Sequence, residues 1–212
     1  MVISDRFYHE NAIKNLKILW NENGPCFHAA LDGFLTEGAP EAVSERDSHK
    51  DAIWQVQEAL REELFLRQLR HITGYRGLFS GPLVPRQRLT PSSDLSELSN
   101  GIERVGTAWK QGGVIIFLNE CDSGLEIWHG TGPEGHDLIH FIPAEPNRMV
   151  LFDINPGLFY GFRPVIEDMF IFSVPYYVHE MPDWAKRGDP SPRAYPRPRD
   201  ERGEECQTDT RD

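Results

Sequence analysis

The spacing of apolar positions changes near residue 78. In residues 11–20 (NAIKNLKILW), Ile13, Leu16, Leu19 and Trp20 fall on one helical face, and the run Asn21-Glu22-Asn23-Gly24 stops it. Residues 25–35 (PCFHAALDGFL) read as a short apolar strand with a turn. Residues 52–72 carry Ile53, Val56, Ala59, Leu60, Leu64, Leu66 and Leu69 at helical spacing and predict one long helix. Thr73-Gly74 ends it, because glycine accepts the left-handed cap that other residues resist. From Leu78 onward, short β-rich runs separated by Gly, Pro and Asn predict strands over 114–118, 125–128, 138–142, 149–152 and 169–178. Successive short strands without intervening helices favour an antiparallel sandwich or barrel over βαβ units.

The chain has 212 residues, which suits one domain with a continuous core. Residues 1–185 are expected to form that domain. Residues 186–212 are rich in proline and charge and nearly free of aliphatic residues, so they are expected to remain a disordered tail. The balance of 22 basic against 33 acidic residues gives a net charge of −11, which disfavours nucleic acid and anionic lipid as partners. No apolar run is long enough for a membrane span, and residues 1–8 lack the basic-then-apolar layout of a secretion signal, so a cytoplasmic location is expected. Cys26, Cys121 and Cys206 are too widely spaced for a zinc pattern or a disulfide framework and read as reduced thiols.

Four patterns occur in series: ELFLRQLRHITGYRGLF (63–79), IIFLN (115–119), SGLEIW (123–128) and PNRMVLFD (146–153). Together they resemble the 2-oxoglutarate- and iron(II)-dependent oxygenase superfamily, in its prolyl-4-hydroxylase-like branch, and the paired Tyr176-Tyr177 resembles the close of that core. The resemblance implies an α+β, mostly β fold: a double-stranded β-helix, or jelly roll, with the N-terminal helices packed on one face. Asn119 and Gly124 read as hairpin punctuation, and Pro146-Asn147 as a turn into a buried run.

The family's reaction uses two histidines and a carboxylate on iron, with an arginine for the far carboxylate of 2-oxoglutarate. No histidine stands between His71 and His129. Carried over by the resemblance, the first histidine falls on Glu97 and the aspartate on Ser99; a shifted register uses Glu103. The distal histidine falls on Tyr160, and the arginine–serine pair near Met169 and Ile171. One carboxylate and one phenol are a poor substitute for two imidazoles and a carboxylate, so no cofactor is expected, with Fe(II) and 2-oxoglutarate as the alternative.

Glu97 and Tyr160 are then the candidate acid–base pair, facing each other where iron would sit. Ser99, Phe117, Arg163 and Met169 are the candidate substrate-binding residues, with Arg163 the substitute anchor for a dicarboxylate. The blander reading has Glu97 and Tyr160 filling the vacated space and bonding to each other. His129, His136 and His140 form the one histidine cluster; with Asp137 or Glu126 they have enough donors for a divalent metal, or they are simply exposed loop histidines. Arg148 reads as structural, pairing a carboxylate or turn carbonyls. Three functions follow: a small-molecule tailoring enzyme of specialised metabolism working by acid–base chemistry, a non-catalytic binding subunit with a protein partner or as a homodimer, and an oxidoreductase with displaced metal ligands.

Overall fold

The computed structural model describes residues 2–24, 26–40, 50–82, 86–91, 97–130, 136–186 and 194–196. The elements, in chain order, are helices α1 (Asp5–Tyr8) and α2 (Glu10–Glu22), strand β1 (His28–Asp32), helices α3 (Lys50–Ala59) and α4 (Glu63–Thr73), and strands β2 (Phe79–Ser80), β3 (Gln87–Leu89), β4 (Glu97–Ser99) and β5 (Arg104–Val105). The long strands follow: β6 (Ala108–Phe117), β7 (Cys121–Gly130), β8 (His136–Ala144), β9 (Arg148–Asp153), β10 (Leu158–Phe162) and β11 (Met169–Val178). Helix α5 (Asp183–Lys186) and strand β12 (Ala194–Pro196) complete the set.

Among the described residues the strands form two antiparallel sheets. The seven-stranded sheet runs β1-β9-β6-β11-β2, with β3 also on β11 and β5 on β6, and the five-stranded sheet runs β12-β4-β10-β7-β8. This is a double-stranded β-helix with helices on one face, as the sequence predicts.

The larger sheet is covered on both sides, which explains why its strands read as unbroken apolar runs. Val114, Ile116, Met149, Leu151, Phe172 and Val174 turn toward Leu16, Trp20, Phe65, Leu69 and Ile72 of the helices. Their neighbours Ile115, Phe117, Val150, Phe152, Met169 and Ile171 turn toward Leu125, Ile127 and Leu158 of the smaller sheet. A one-residue slip of register would exchange the two sets, so each strand is pinned by both layers.

Several expectations change in detail. Residues 52–72 form two helices rather than one, broken after Ala59, and the break leaves the Leu60 carbonyl to accept the buried Tyr176 hydroxyl at 3.1 Å. Leu19 and Leu64 are exposed, because packing against the sheet uses a narrower stripe than the sequence pattern offers. Asn119 and Gly124 do not punctuate a hairpin: β6 lies in the larger sheet and β7 in the smaller. The Asn119 side chain ties that crossover to β11, accepting from the Phe170 N–H at 2.8 Å and donating to the Asp168 carbonyl at 2.9 Å. Strand β12 lies within the stretch expected to be disordered and pairs with β4 through Ala194–Ser99 and Pro196–Glu97; the remainder of 187–212, with Cys206, lies outside the described residues. Cys26 and Cys121 are free and buried, and burial pushes both thiols up from their ordinary range. Among the described residues no helix is long and apolar enough to cross a membrane.

Two glycines are structural necessities. Gly74 caps α4 with φ 78°, and a Cβ on Gly112 would stand 2.4 Å from the Phe152 carbonyl oxygen, so only glycine lets β6 and β9 approach there.

Candidate functional site

The space between the sheets is not filled. A cavity of about 310 Å³ is lined by Ser99, Lys110, Phe152, Tyr160, Phe162 and Ser173, together with small and aliphatic residues. Ser99 and Tyr160 are direct partners across β4 and β10. Lys110 and Ser173 come from β6 and β11 of the opposite sheet. Among the described lining residues Lys110 alone carries a charge. Its ammonium lies 3.7 Å from Glu103, an exposed carboxylate that also accepts the Tyr177 hydroxyl at 3.0 Å.

The sequence-predicted residues divide into those that reach this cavity and those that do not. Ser99 lines it, and its hydroxyl accepts from the Gly101 N–H at 3.1 Å. Tyr160 lines it too. The residue is half-buried, while its hydroxyl lies deep and donates to the Asp153 carbonyl. Burial, then the nearby Asp153 charge, pushes its ionisation well above the ordinary range, so the proton stays on oxygen at any physiological pH. Glu97 opens β4, two residues from Ser99, and its side chain lies outside the described set.

Phe117 and Met169 are fully buried among the apolar residues between the sheets and do not line the cavity. Arg163, the expected substitute anchor, also lies elsewhere. Leu125 faces the interior, so the next residue, Glu126, faces away from it. Arg163 follows Glu126 to that outer face, where its Nε donates to Glu126 at 2.9 Å and its guanidinium sits 3.9 Å above the Phe141 ring.

Among the described side chains the histidine cluster does not assemble as a site. His129 stands opposite Asp137, and His140 opposite Ile127, along the β7–β8 pair. His140 instead packs on His28, ring centroids 4.4 Å apart, and the side chain of His136 lies outside the described set. Among the described residues no group of three or more His, Cys, Asp or Glu side chains is placed to hold a metal ion. Arg148 has the structural role expected of it, pairing Asp32 at 2.6 Å and donating to the Pro143 carbonyl at 3.1 Å.

Sequence reasoning passed over Lys110, Gln111, Tyr75 and Asp153. Asp153 ends β9 and turns to the helical side of the larger sheet, where Gln111 Nε2 donates to one carboxylate oxygen at 2.8 Å and the Tyr75 hydroxyl to the other at 2.7 Å. The pairing of β11 with β6 steps from Tyr176–Gly112 to Tyr177–Lys110, so Gln111 is the bulged residue, re-aimed by the extra backbone unit. Asp153 is only 6% exposed, and burial pushes its carboxyl up to about 6 despite the bonds from Gln111 and Tyr75. The one sequence signal was two adjacent polar residues, Lys110-Gln111, heading a buried apolar strand.

No protein-family model matches the chain, and a search of curated proteins finds no match. Solved structures do share the fold. An oxidoreductase of the 2OG-Fe(II) oxygenase family from Burkholderia pseudomallei superposes with a TM-score of 0.53 at 13% identity, covering 79% of this chain and 91% of its own. A viral collagen prolyl hydroxylase from Paramecium Bursaria Chlorella virus-1 gives 0.50 at 14% identity, covering 72% and 90% respectively. A Trichoplax adhaerens prolyl hydroxylase, solved with a hypoxia inducible factor peptide fragment, gives 0.50 at 10% identity, covering 82% and 96%. At such identities the likeness is one of fold, and the fold is that of the 2-oxoglutarate oxygenases. The expectation that no cofactor belongs here is thereby corrected: the Burkholderia protein that shares this fold is of the 2OG-Fe(II) oxygenase family, which points to Fe(II) and 2-oxoglutarate. The residues themselves fit the two groups unequally. A dicarboxylate has a counter-charge in Lys110, whereas the described residues offer iron no ligand set.

Proposed function

We propose that this protein is a small-molecule enzyme of the oxygenase fold that holds an organic carboxylate between its two sheets, with Lys110 as counter-charge. The observation that carries this reading is the composition of the cavity wall: one cation, the serines Ser99 and Ser173, the side chain of Tyr160, and otherwise apolar surface. A carboxylate entering such a space gives up its hydration and needs a cation and donors in return. The apolar part of the ligand then lies against Phe152 and Phe162. The resident contact with Glu103 is long and Glu103 is exposed, so a carboxylate inside the cavity competes for Lys110 at little cost.

Proton transfer is the reaction these groups suit, with Glu97 at the head of β4 as the base. Tyr160, its proton fixed and its hydroxyl held by the Asp153 carbonyl, positions the substrate against the wall. 2-Oxoglutarate belongs to the ligand class that the cavity suits, which keeps the chemistry named by the structural neighbours within the test.

Calorimetric titration of the full chain with 2-oxoglutarate, succinate and benzoate tests the reading. At least one carboxylate should bind saturably, and Lys110→Met should weaken it about tenfold or more. Absence of binding by all three, or equal binding to a folded Lys110→Met variant, overturns it. Release of succinate from 2-oxoglutarate on addition of Fe(II) would keep the ligand assignment and replace proton transfer with oxidative chemistry.

A further inference from the structure

Another concavity lies on the opposite, helical side of the seven-stranded sheet. A cleft of about 450 Å³ has Asp153, Gln111 and Tyr75 in its wall, with Phe27 and the segment through Glu180 and Asp183 completing it. Three separate elements bring the polar groups together: the turn after α4, the bulge in β6 and the end of β9.

Its hydrogen bonding is incomplete in one direction. Gln111 is 4% exposed, and its Nε2 is committed to Asp153. The carboxylate fixes which end of the amide faces it, so Oε1 turns elsewhere, and it meets no donor among the described residues. Asp153 accepts from Gln111, Tyr75 and the Ile154 N–H and still has an acceptor position to spare, since a carboxylate offers about four. A buried acceptor left without a donor is costly, and both Gln111 and Asp153 line the cleft, so a donor-bearing occupant is indicated. The remaining charges agree in sign. Lys186 pairs with Asp183 at 2.8 Å, leaving Glu180 and Asp153 against Arg76. Phe27 and Tyr75 supply aromatic surface, which favours a cation.

We propose that this cleft is a second ligand site, separate from the inter-sheet cavity, that takes a small organic cation carrying an ammonium or guanidinium group, with Asp153 and Gln111 Oε1 as its acceptors. The site stands whether or not the cavity binds a carboxylate.

The test is calorimetric titration of the full chain with putrescine and with agmatine, using 1,4-butanediol as the uncharged control. At least one of the two amines should bind saturably while the diol does not. Asp153→Asn should weaken that binding about tenfold or more, the scale of one lost charge-assisted bond. Should Asp153→Asn fail to fold, Gln111→Leu, which removes the free acceptor and keeps the carboxylate, should also weaken it. Neither amine binding, equal binding of the diol, or full binding retained by a folded variant overturns the proposal.

Discussion

Asn147 closes both halves of its side-chain amide on the backbone of Leu35, although 112 residues separate them. Its Oδ1 accepts from the Leu35 N–H at 2.7 Å and its Nδ2 donates to the Leu35 carbonyl at 3.0 Å. The same residue holds φ at 62°, a left-handed conformation that it alone among the described non-glycine residues adopts. One side chain therefore makes the turn into β9 and docks the segment that follows β1. Asparagine is among the few residues that tolerate this conformation, and its amide mimics a strand partner.

Asn147→Ala should lower unfolding stability by about 3–4 kcal/mol: roughly 1 kcal/mol for each of the two lost hydrogen bonds and a further 1–2 for alanine in a left-handed conformation. Asn147→Gly should cost less, because it keeps the backbone and loses only the bonds. Urea unfolding of both variants, with equal slopes, separates the two contributions; equal losses would remove the backbone part of the account.

The layer plan was legible because burial on both faces leaves unbroken apolar runs such as VIIF and MVLF, and because Gly74 and Asn147 announce their own conformations. What sequence spacing leaves out is which sheet a strand joins. Asn119 is a turn residue in either reading, and only its bonds to Asp168 and Phe170 show that the chain crosses between sheets there. The site was legible in part for the same reason. Ser99 and Tyr160 came from carrying the family's ligand positions over by resemblance, while Lys110 and Gln111 depend on a bulge that shifts side chains by one position, which no periodicity reveals. Arg163 was misplaced because alternation turns it to the outer face.

The raised carboxyl of Asp153 predicts a stability that falls as pH rises. Its folded value is about 6 against an ordinary 3.8. The folded protein thus holds this proton more tightly than the unfolded chain does, and the contribution is fully present below pH 3.8 and lost as pH rises through 6. The shift corresponds to about 3 kcal/mol. Subtracting the stability curve of Asp153→Asn from that of the unmodified protein should expose a decline confined to this window. A flat difference curve would mean that the carboxyl titrates normally.

His28 predicts the opposite slope in a neighbouring window. It is buried, its Nδ1 bonds the Cys26 carbonyl at 2.7 Å, and burial, with a smaller contribution from His140, pulls its ionisation below the ordinary 6.5. The unfolded chain then takes up the proton first, so the contribution is present above pH 6.5 and lost as pH falls. His28→Gln should flatten the acid side of the stability curve while leaving it unchanged above pH 7.5. An unaltered acid limb would show that the imidazole is protonated in the folded state as readily as in the unfolded chain.

Arg163 and Glu126 form an ion pair whose two members are unequally buried, with side chains 22% and 3% exposed. The carboxylate also accepts from the Trp128 indole N–H at 3.1 Å. Removing only the arginine strands a charge that water hardly reaches, whereas removing both charges leaves an outer sheet face able to pack apolar groups. Arg163→Met should therefore cost about 3 kcal/mol, including the stacking on Phe141, and Arg163→Met combined with Glu126→Gln should recover a good part of that loss. A double variant less stable than Arg163→Met would show that the pair stabilises the fold beyond its desolvation cost. Because Arg163 does not line the inter-sheet cavity, Arg163→Met should bind carboxylates as the unmodified protein does. A tenfold loss in that titration would return Arg163 to the role of anchor and require the β10–β11 connection to move when ligand binds.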